Sequence, residues 1–354
     1  MLIYLDSTVD QLAAENPVEI EELISELLLA SIYGRHLILL DRAICDWAKD
    51  SLNLGGREIA QLDRLKALYS QRGTLPQTAL SYLKVETGET LLTEISPHKY
   101  SIGHRAFLDA NYVRDSNLLI EHIENDGEML KIILREASRR HPAPTYAFQA
   151  LHGGGADIAA CLRVEIPKRH VVVSIADSDK VAPNDKTSVT KRNLEREAER
   201  QTFVGMVCET PCKEAENYIP LTILRTHQQQ LCPEFSSIDS LETLIQNQDV
   251  AGKSDCLWLF FDLKKGIQAE KLDRIQNPPV AAWLAQKYQL GGRRFSDIEI
   301  SGFGDGILRQ FLDCGEAIKD FVKFMKTPYW ATHFADFFDL VLWYFASEKK
   351  ARGN

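Results

Sequence analysis

The sequence lacks the features of a membrane-bound or exported protein. None of its apolar runs reaches the about 18 residues that a membrane-spanning helix needs, and acidic residues such as Asp6 and Asp10 stand where a signal peptide would be basic. Its seven cysteines are too few and too scattered for a disulfide framework, and their odd number favours a reducing compartment. These absences predict a soluble, cytoplasmic protein with no membrane partner.

An excess of basic residues is also lacking. The chain has 41 Lys and Arg against 50 Asp and Glu, so its net charge is -9. This balance argues against binding of phosphate groups over the whole surface. It is compatible with a metal-dependent nuclease, because carboxylates can gather divalent cations at one site while a local basic stretch or a partner holds the nucleic acid.

No ATP-binding loop is expected either. The segment AGKSD at 251–255 has the end of a P-loop, but Asn247 stands where the first glycine of that loop should be. An ATPase that works with this chain would therefore be a separate protein.

The chain divides into three predicted regions. Residues 1–115 alternate short apolar runs with helical patterns, which favours a small α/β domain. Its first strand ends on Asp6, as in PIN-like nuclease domains, although any α/β domain can begin in this way. Residues 116–222 repeat strand and helix patterns. Residues 223–354 form a mixed region with a predicted strand over 254–267 and a helical, aromatic end that we expect to pack on the middle region or on a partner.

The middle region has the pattern of a mostly parallel sheet flanked by helices. Apolar strand patterns end before Glu121 and Asp177, and two further strands are predicted in TYAFQAL and FVGMVCET. Amphipathic or polar helical segments separate them, which implies right-handed crossovers between parallel strands. Such sheets place functional groups at the carboxyl ends of their strands.

Acidic residues follow three of these predicted strands. They are Glu121, then Asp177 and Asp179, then Glu214 and Glu216. Several carboxylates at neighbouring strand ends form an oxygen-lined site that binds a divalent cation and leaves room for phosphate oxygens. Asp177 and Asp179 would point to one side if their strand continued, and a shared cation would relieve their repulsion. The DSD sequence alone could equally cap a turn, so the interpretation depends on the conjunction of all three groups.

The order of these motifs resembles the Toprim domain of topoisomerases, primases and OLD-family phage-defence nucleases. The resemblance rests on LLIEHIENDGEML, VVVSIADSDK and KEAENYIP, within about residues 115–222. It implies that Glu121, Asp177 and Asp179 bind Mg²⁺ or Mn²⁺, and that Glu216, followed by Glu214, contributes from the last motif.

The first motif departs from the family pattern. His122 stands where the family has a glycine, and the acid that normally follows a few positions on is displaced, with Asn125 and Asp126 as candidates. Glu124 is therefore an alternative to Glu121 as the first ligand.

Basic and glycine residues near these motifs suggest contacts to nucleic acid. A basic stretch can position a phosphodiester beside a metal site, and the predicted contacts are Lys180, Lys186, Lys191 and Arg192. The HGGG sequence at 152–155 falls at a strand-to-helix junction, where glycines allow close approach of the backbone to a phosphate. His152 or His170 could transfer a proton.

Together these observations predict a metal-dependent nuclease that cleaves DNA or RNA. The resemblance further implies an effector of a prokaryotic antiphage system, controlled by a partner ATPase or sensor, and a possible homo-oligomer. Two alternatives stay open. One is a Toprim ribonuclease specific for transfer or ribosomal RNA, and the other is a non-catalytic assembly subunit with a degenerate site.

Overall fold

The computed structural model describes residues 1–141, 145–246 and 256–350. The AGKSD segment at 251–255 and the first two residues of the strand predicted over 254–267 lie outside the described residues. Among the described residues, no helix is both long enough and apolar enough to cross a membrane.

The amino-terminal region is built on a five-stranded sheet in the order β2-β1-β3-β5-β4, parallel except for β4. Its strands are β1 (Leu2–Leu5), β2 (Leu37–Leu39), β3 (Tyr82–Glu86), β4 (Thr93–Ser96) and β5 (Lys99–Gly103). The central strands are short apolar runs because helices cover both faces of a parallel sheet. Those helices are α1 (Val9–Ala13), α2 (Pro17–Ile32), α3 (Arg42–Ser51), α4 (Gly56–Arg72), α5 (Leu75–Thr78) and α6 (His104–Leu108).

The middle region contains a second, fully parallel sheet in the order β10-β9-β6-β8. Its strands are β6 (Asn117–Ile120), β8 (Gln149–His152), β9 (Val172–Ala176) and β10 (Gly205–Glu209), and its helices are α7 (Glu128–Ser138), α8 (Ile158–Glu165) and α9 (Val189–Ala198). The predicted class, α/β with mostly parallel sheets flanked by helices, is confirmed. The strand predicted over TYAFQAL is wrong as a single element, because β7 (Thr145–Tyr146) leaves this sheet and pairs antiparallel with β11 (Ala346–Ser347).

Strand β10 lies at the edge of the second sheet, and side chains cover its open side. The hydroxyls of Tyr100 and Tyr344 donate to the carbonyl oxygen of Gly205, at 2.7 Å and 3.0 Å. The Lys191 ammonium donates to the carbonyl oxygen of Val207 at 3.1 Å. Two of the carbonyls that an added strand would need are thus already bonded.

The carboxyl-terminal region is helical. Its helices are α10 (Leu221–Thr226), α11 (Gln228–Leu231), α12 (Ile238–Gln246), α13 (Ala269–Leu272), α14 (Pro278–Lys287), α15 (Ile307–Asp313), α16 (Gly315–Phe324), α17 (Pro328–Trp330) and α18 (Asp336–Phe345). The strand predicted over 254–267 is wrong for its described part, which forms a 3-10 turn at Leu257–Leu259 and then irregular backbone. A short apolar run fits any fully buried segment, and here Leu257, Trp258 and Leu259 are buried in a tight turn.

The predicted helical and aromatic carboxyl end is also confirmed. Trp330 and Phe338 stack with ring centroids 5.6 Å apart, and Tyr218 of the middle region packs edge-on against Phe334 at 5.3 Å. One continuous cluster of buried apolar side chains contains residues of all three regions. The boundaries at 115 and 222 stay a prediction.

A buried ion pair ties the carboxyl end to the amino-terminal region. The side chain of Glu348 is inaccessible to solvent, and it bonds with Arg72 and, at 3.3 Å, with Arg64, both on α4. Because removing one partner of a buried pair leaves the other charge desolvated, Glu348→Gln should lower the free energy of unfolding by about 2 kcal/mol. Urea denaturation measures this change.

The matched control is Glu316→Gln, which removes an exposed pair with Lys319 on one face of α16. It should leave the unfolding midpoint unchanged, since exposed pairs contribute little. Equal effects of the two substitutions would contradict the structural role of Glu348.

Candidate metal centre

The acidic residues gather at the carboxyl ends of neighbouring parallel strands. Glu121 directly follows β6, and Asp177 directly follows β9. The backbone N–H of Asp177 donates to Glu121 Oε1 at 3.4 Å. Glu214 and Glu216 lie at the start of a 3-10 turn, Ala215–Tyr218, beyond the end of β10. The sheet therefore brings together carboxylates that are far apart in sequence.

A π-helical turn adds a further carboxylate to this edge. The turn, Ile123–Gly127, follows β6, and Asp126 within it accepts a hydrogen bond from the His122 backbone at 3.2 Å. A cavity of about 20 Å³ lies among these groups and has room for about one water molecule. Its polar lining consists of Glu121, Asp126, Asp177, Thr210 and Tyr218.

The centre is crowded with carboxyl groups. Burial raises the pKa of Asp177 well above its usual range, and the neighbouring charges of Asp126, Glu121, Glu216 and Glu214 raise it further. Burial is also the main cause that raises the pKa of Asp126. The folded protein therefore binds protons here more tightly than the unfolded chain does.

One cation of the chain lies within the cluster, and sequence reasoning missed it. Lys264 Nζ lies 3.0 Å from Glu214 Oε2 and 3.1 Å from Glu216 Oε1. Burial lowers the pKa of Lys264, but the two glutamates outweigh that effect and raise it above its usual value. Burial raises the pKa of both glutamates in spite of this partner. No motif in the sequence links Lys264 to this site. Its segment was predicted as a strand, and that prediction does not place Lys264 beside the acidic residues.

The donor atoms suit a hard divalent cation. They are carboxylate and hydroxyl oxygens, the ligands that Mg²⁺ and Mn²⁺ prefer. The Tyr218 hydroxyl lines the cavity and interacts with the Cys212 thiol, without a hydrogen bond of normal geometry. Glu214 Oε1 is also without such a bond, but Glu214 does not line the cavity. In the part of the chain that the structure describes, however, no three His, Cys, Asp or Glu side chains converge closely enough to hold an ion. The oxygens are of the right kind, but they are not gathered into a coordination shell.

The structure does not place Asp179 in this cluster. Strand β9 ends at Ala176, so the alternation that would align Asp177 with Asp179 stops before either residue. Asp179 is exposed, has a left-handed backbone conformation with φ 55°, and donates its N–H to the Lys213 carbonyl at 3.0 Å. Glu124 is exposed as well and does not line the cavity, whereas Glu121 does.

The four predicted basic contacts differ in their surroundings. Lys180 pairs with Glu209 and is mostly covered. Lys191 is also mostly covered, and it bonds with Glu195 on α9 as well as with the edge of β10. Only Lys186 and Arg192 are exposed. They are the two of the four that could reach a phosphate without breaking an ion pair that the structure describes.

The two predicted histidines lie at opposite ends of the sheet. His152 ends β8, and its ring centroid is 6.1 Å from that of His122, beside Glu121. His170 precedes β9, where a ring nitrogen lies 3.3 Å from the backbone carbonyl of Asp115. Only His152 is therefore at the edge that carries the carboxylates.

The glycines after His152 form a tight turn. Gly154 and Gly155 have positive φ angles of 69° and 62°. A Cβ on Gly153 would lie 2.6 Å from the Ile158 side chain, so this position has no room for one. The turn leads into α8 and packs Gly153 directly against the first residue of that helix.

Comparison with protein-family models, with curated proteins and with solved structures finds no match to this chain.

Neutralising Asp177 should stabilise the metal-free protein at pH 7. The pKa of Asp177 is raised on folding, so its protonated carboxyl favours the folded state. This contribution to stability is complete below the unfolded-state pKa near 3.8 and is lost as pH rises through the folded-state pKa. Asp177→Asn removes the charge and should raise the melting temperature at pH 7, with a smaller difference at pH 4. Thermal melts in EDTA at several pH values measure this.

Asp179→Asn is the matched control, because Asp179 is exposed and lies outside the cavity. It should not change the melting temperature at either pH. A lower melting temperature of Asp177→Asn than of the wild type at pH 7 would contradict the raised pKa of Asp177.

Proposed function

We propose that the chain is a nuclease that depends on Mg²⁺ or Mn²⁺ and hydrolyses phosphodiester bonds in DNA or RNA. The observation that carries the proposal is the cavity at the carboxyl ends of β6 and β9, which Glu121, Asp126 and Asp177 line together with Tyr218. A cluster of partly buried carboxylates is electrostatically unfavourable unless a cation offsets it. The fold keeps the cluster in spite of that cost, which supports a role in binding a cation.

In this proposal Glu121, Asp126 and Asp177 hold the ion. A bound divalent cation lowers the pKa of water and offsets the negative charge that develops on phosphate oxygens. The His152 imidazole lies on the neighbouring strand and could accept a proton from the attacking water. The exposed Lys186 and Arg192 would contact the nucleic-acid backbone.

The wider role follows from the resemblance to Toprim nucleases. We propose an effector of prokaryotic antiphage defence in the cytoplasm, controlled by a separate ATPase or sensor and possibly assembled as a homo-oligomer. The Toprim assignment itself is part of this proposal. Of the further ligands that the resemblance implies, Glu216 is paired with Lys264 and Asp179 lies outside the cavity.

One observation favours a second function, that of a non-catalytic assembly subunit. No three candidate ligands in the described residues converge on one point, and Asp179 lies away from the other acids. In such an inactive site, Glu214 and Glu216 would only bind Lys264 and so hold the segment around it.

Cleavage of plasmid DNA and total RNA separates these functions. The purified protein, alone and with neighbouring gene products, is incubated with either substrate in Mg²⁺, Mn²⁺ or EDTA. We expect metal-dependent cleavage that Asp177→Ala reduces at least about 100-fold, because it removes a ligand charge. The matched control is Glu124→Gln, which neutralises an exposed glutamate outside the cavity and should retain activity.

Two results would count against the proposal. Activity of Asp177→Ala equal to that of the wild type would remove Asp177 from the site. If no condition gives cleavage and metals cause no thermal shift, the assembly-subunit function is favoured, since a ligand that binds the native state must stabilise it.

The exposed basic residues give a separate prediction. If Lys186 and Arg192 contact the phosphate backbone, the double change to Gln should weaken binding to duplex DNA and reduce its log–log salt slope by about 0.9 per lost contact. Binding titrations with the inactive Asp177→Ala background, from low to moderate salt, measure the slope. Arg196→Gln and Arg200→Gln, also exposed on or next to α9, form the control pair, and an equal change in both double variants would exclude a specific contact.

A further inference from the structure

We infer that a cleft at the carboxyl ends of β1 and β2 binds a small aliphatic polyamine, an organic cation with several amino groups. The cleft belongs to the first sheet, whereas the acidic centre described above belongs to the second. The inference therefore does not depend on the proposed nuclease activity or on its metal. It assigns a ligand-binding role to the amino-terminal region.

The first argument is the position and size of the cleft. Its volume is about 660 Å³, which is within the range of about 300–1,000 Å³ that is typical of pockets for small molecules. Three parts of the chain form its walls, namely residues 4–11, the end of β2 with the start of α3, and the junction of α4 with α5. Parallel α/β sheets bind their ligands at this end, outside the carboxyl ends of the strands.

The second argument is the charge of the lining. The charged residues that line the cleft are all aspartates, Asp6, Asp10 and Asp41, and among the described residues no Lys, Arg or His lines it. Lys84 lies behind the lining, with its Nζ 3.5 Å from Asp6 Oδ2, and it is shared with Glu86 at 3.1 Å. Lys84 thus offsets only part of the negative charge. The cleft attracts cations and repels phosphates and carboxylates.

The third argument is the aromatic part of the lining. Tyr4 and Tyr69 both line the cleft. The Tyr69 hydroxyl interacts with the Asp41 carboxylate, and this contact is the main cause that raises the pKa of Tyr69. The Arg42 guanidinium, which does not line the cleft, lies 5.9 Å from the centroid of the Tyr69 ring, so this ring already interacts with one cation. Aromatic faces beside carboxylates favour an organic ammonium group.

The spacing of the carboxylates distinguishes a polyamine from a metal ion. The three aspartates line one cleft, yet within residues 1–141, 145–246 and 256–350 no three acidic, His or Cys side chains converge closely enough to hold an ion. One metal ion needs its ligands gathered at a single point. A flexible chain with separate amino groups can instead reach carboxylates that lie apart, and a triamine matches their number.

Isothermal titration calorimetry with spermidine in EDTA tests the site. The wild type should bind one equivalent, and the double variant Asp10→Asn with Asp41→Asn should weaken binding at least about 10-fold, because two ion pairs are lost. Asn keeps the N-cap of α3 that Asp41 provides. The matched control is Asp46→Asn with Asp50→Asn, which removes two exposed charges of α3 outside the cleft and should change the dissociation constant less than about 2-fold.

A steric variant tests the same site without changing any charge. Ala43 is exposed at the start of α3 and lines the cleft, so Ala43→Trp should fill the cleft and prevent binding at an unchanged melting temperature. Ala67 is exposed on α4 and does not line the cleft. Ala67→Trp is therefore the matched control and should bind spermidine as the wild type does.

Three results would overturn the inference. They are no binding of spermidine by the wild type, equal weakening by the two double variants, and unchanged binding by a folded Ala43→Trp variant. A tetralysine peptide tests the other source of aliphatic ammonium groups, a basic segment of a partner protein. If tetralysine binds the cleft more tightly than spermidine does, the assignment to a free polyamine is wrong. Metal-dependent cleavage is measured separately, so none of these results decides the proposed function.

Discussion

Repulsion between carboxylates at one end of a parallel sheet is the constraint that shapes the middle of this protein. Parallel strands all end at the same edge, so the residues that follow β6 and β9 are forced into proximity. Here those residues are acids, and burial together with mutual repulsion raises the pKa of Asp177.

The carboxyl-terminal region supplies the offset. Lys264 comes from a segment that the Asn217 side chain fixes by donating to the carbonyls of Trp258 and Phe261, at 2.6 Å and 3.0 Å. Asn217 lies in the same turn as Glu216, so one short segment presents the acids and also binds the region that neutralises them. The acidic edge and the carboxyl-terminal region are therefore interdependent, although the sequence places them far apart.

Sequence patterns predicted the parts of this arrangement that depend on local periodicity. The apolar runs before Glu121 and Asp177 are strands, and their parallel pairing follows from the helices between them. Asp126 enters through a π-helical turn, a geometry that no apolar pattern indicates. Lys264 enters through tertiary packing alone. The alignment of Asp177 with Asp179 required a longer strand, and β9 ends one residue before Asp177.

The covered edge of β10 limits how copies of this protein can join. With the Gly205 carbonyl bonded to two tyrosine hydroxyls and the Val207 carbonyl bonded to Lys191, a strand from a second copy would have to displace three side chains to extend the sheet there. An unprotected edge invites open-ended strand exchange, which leads to fibres or precipitates. The hydroxyls of Tyr100 and Tyr344 thus protect this edge against open-ended strand pairing. An assembly that extended the second sheet through β10 would first have to break these three hydrogen bonds.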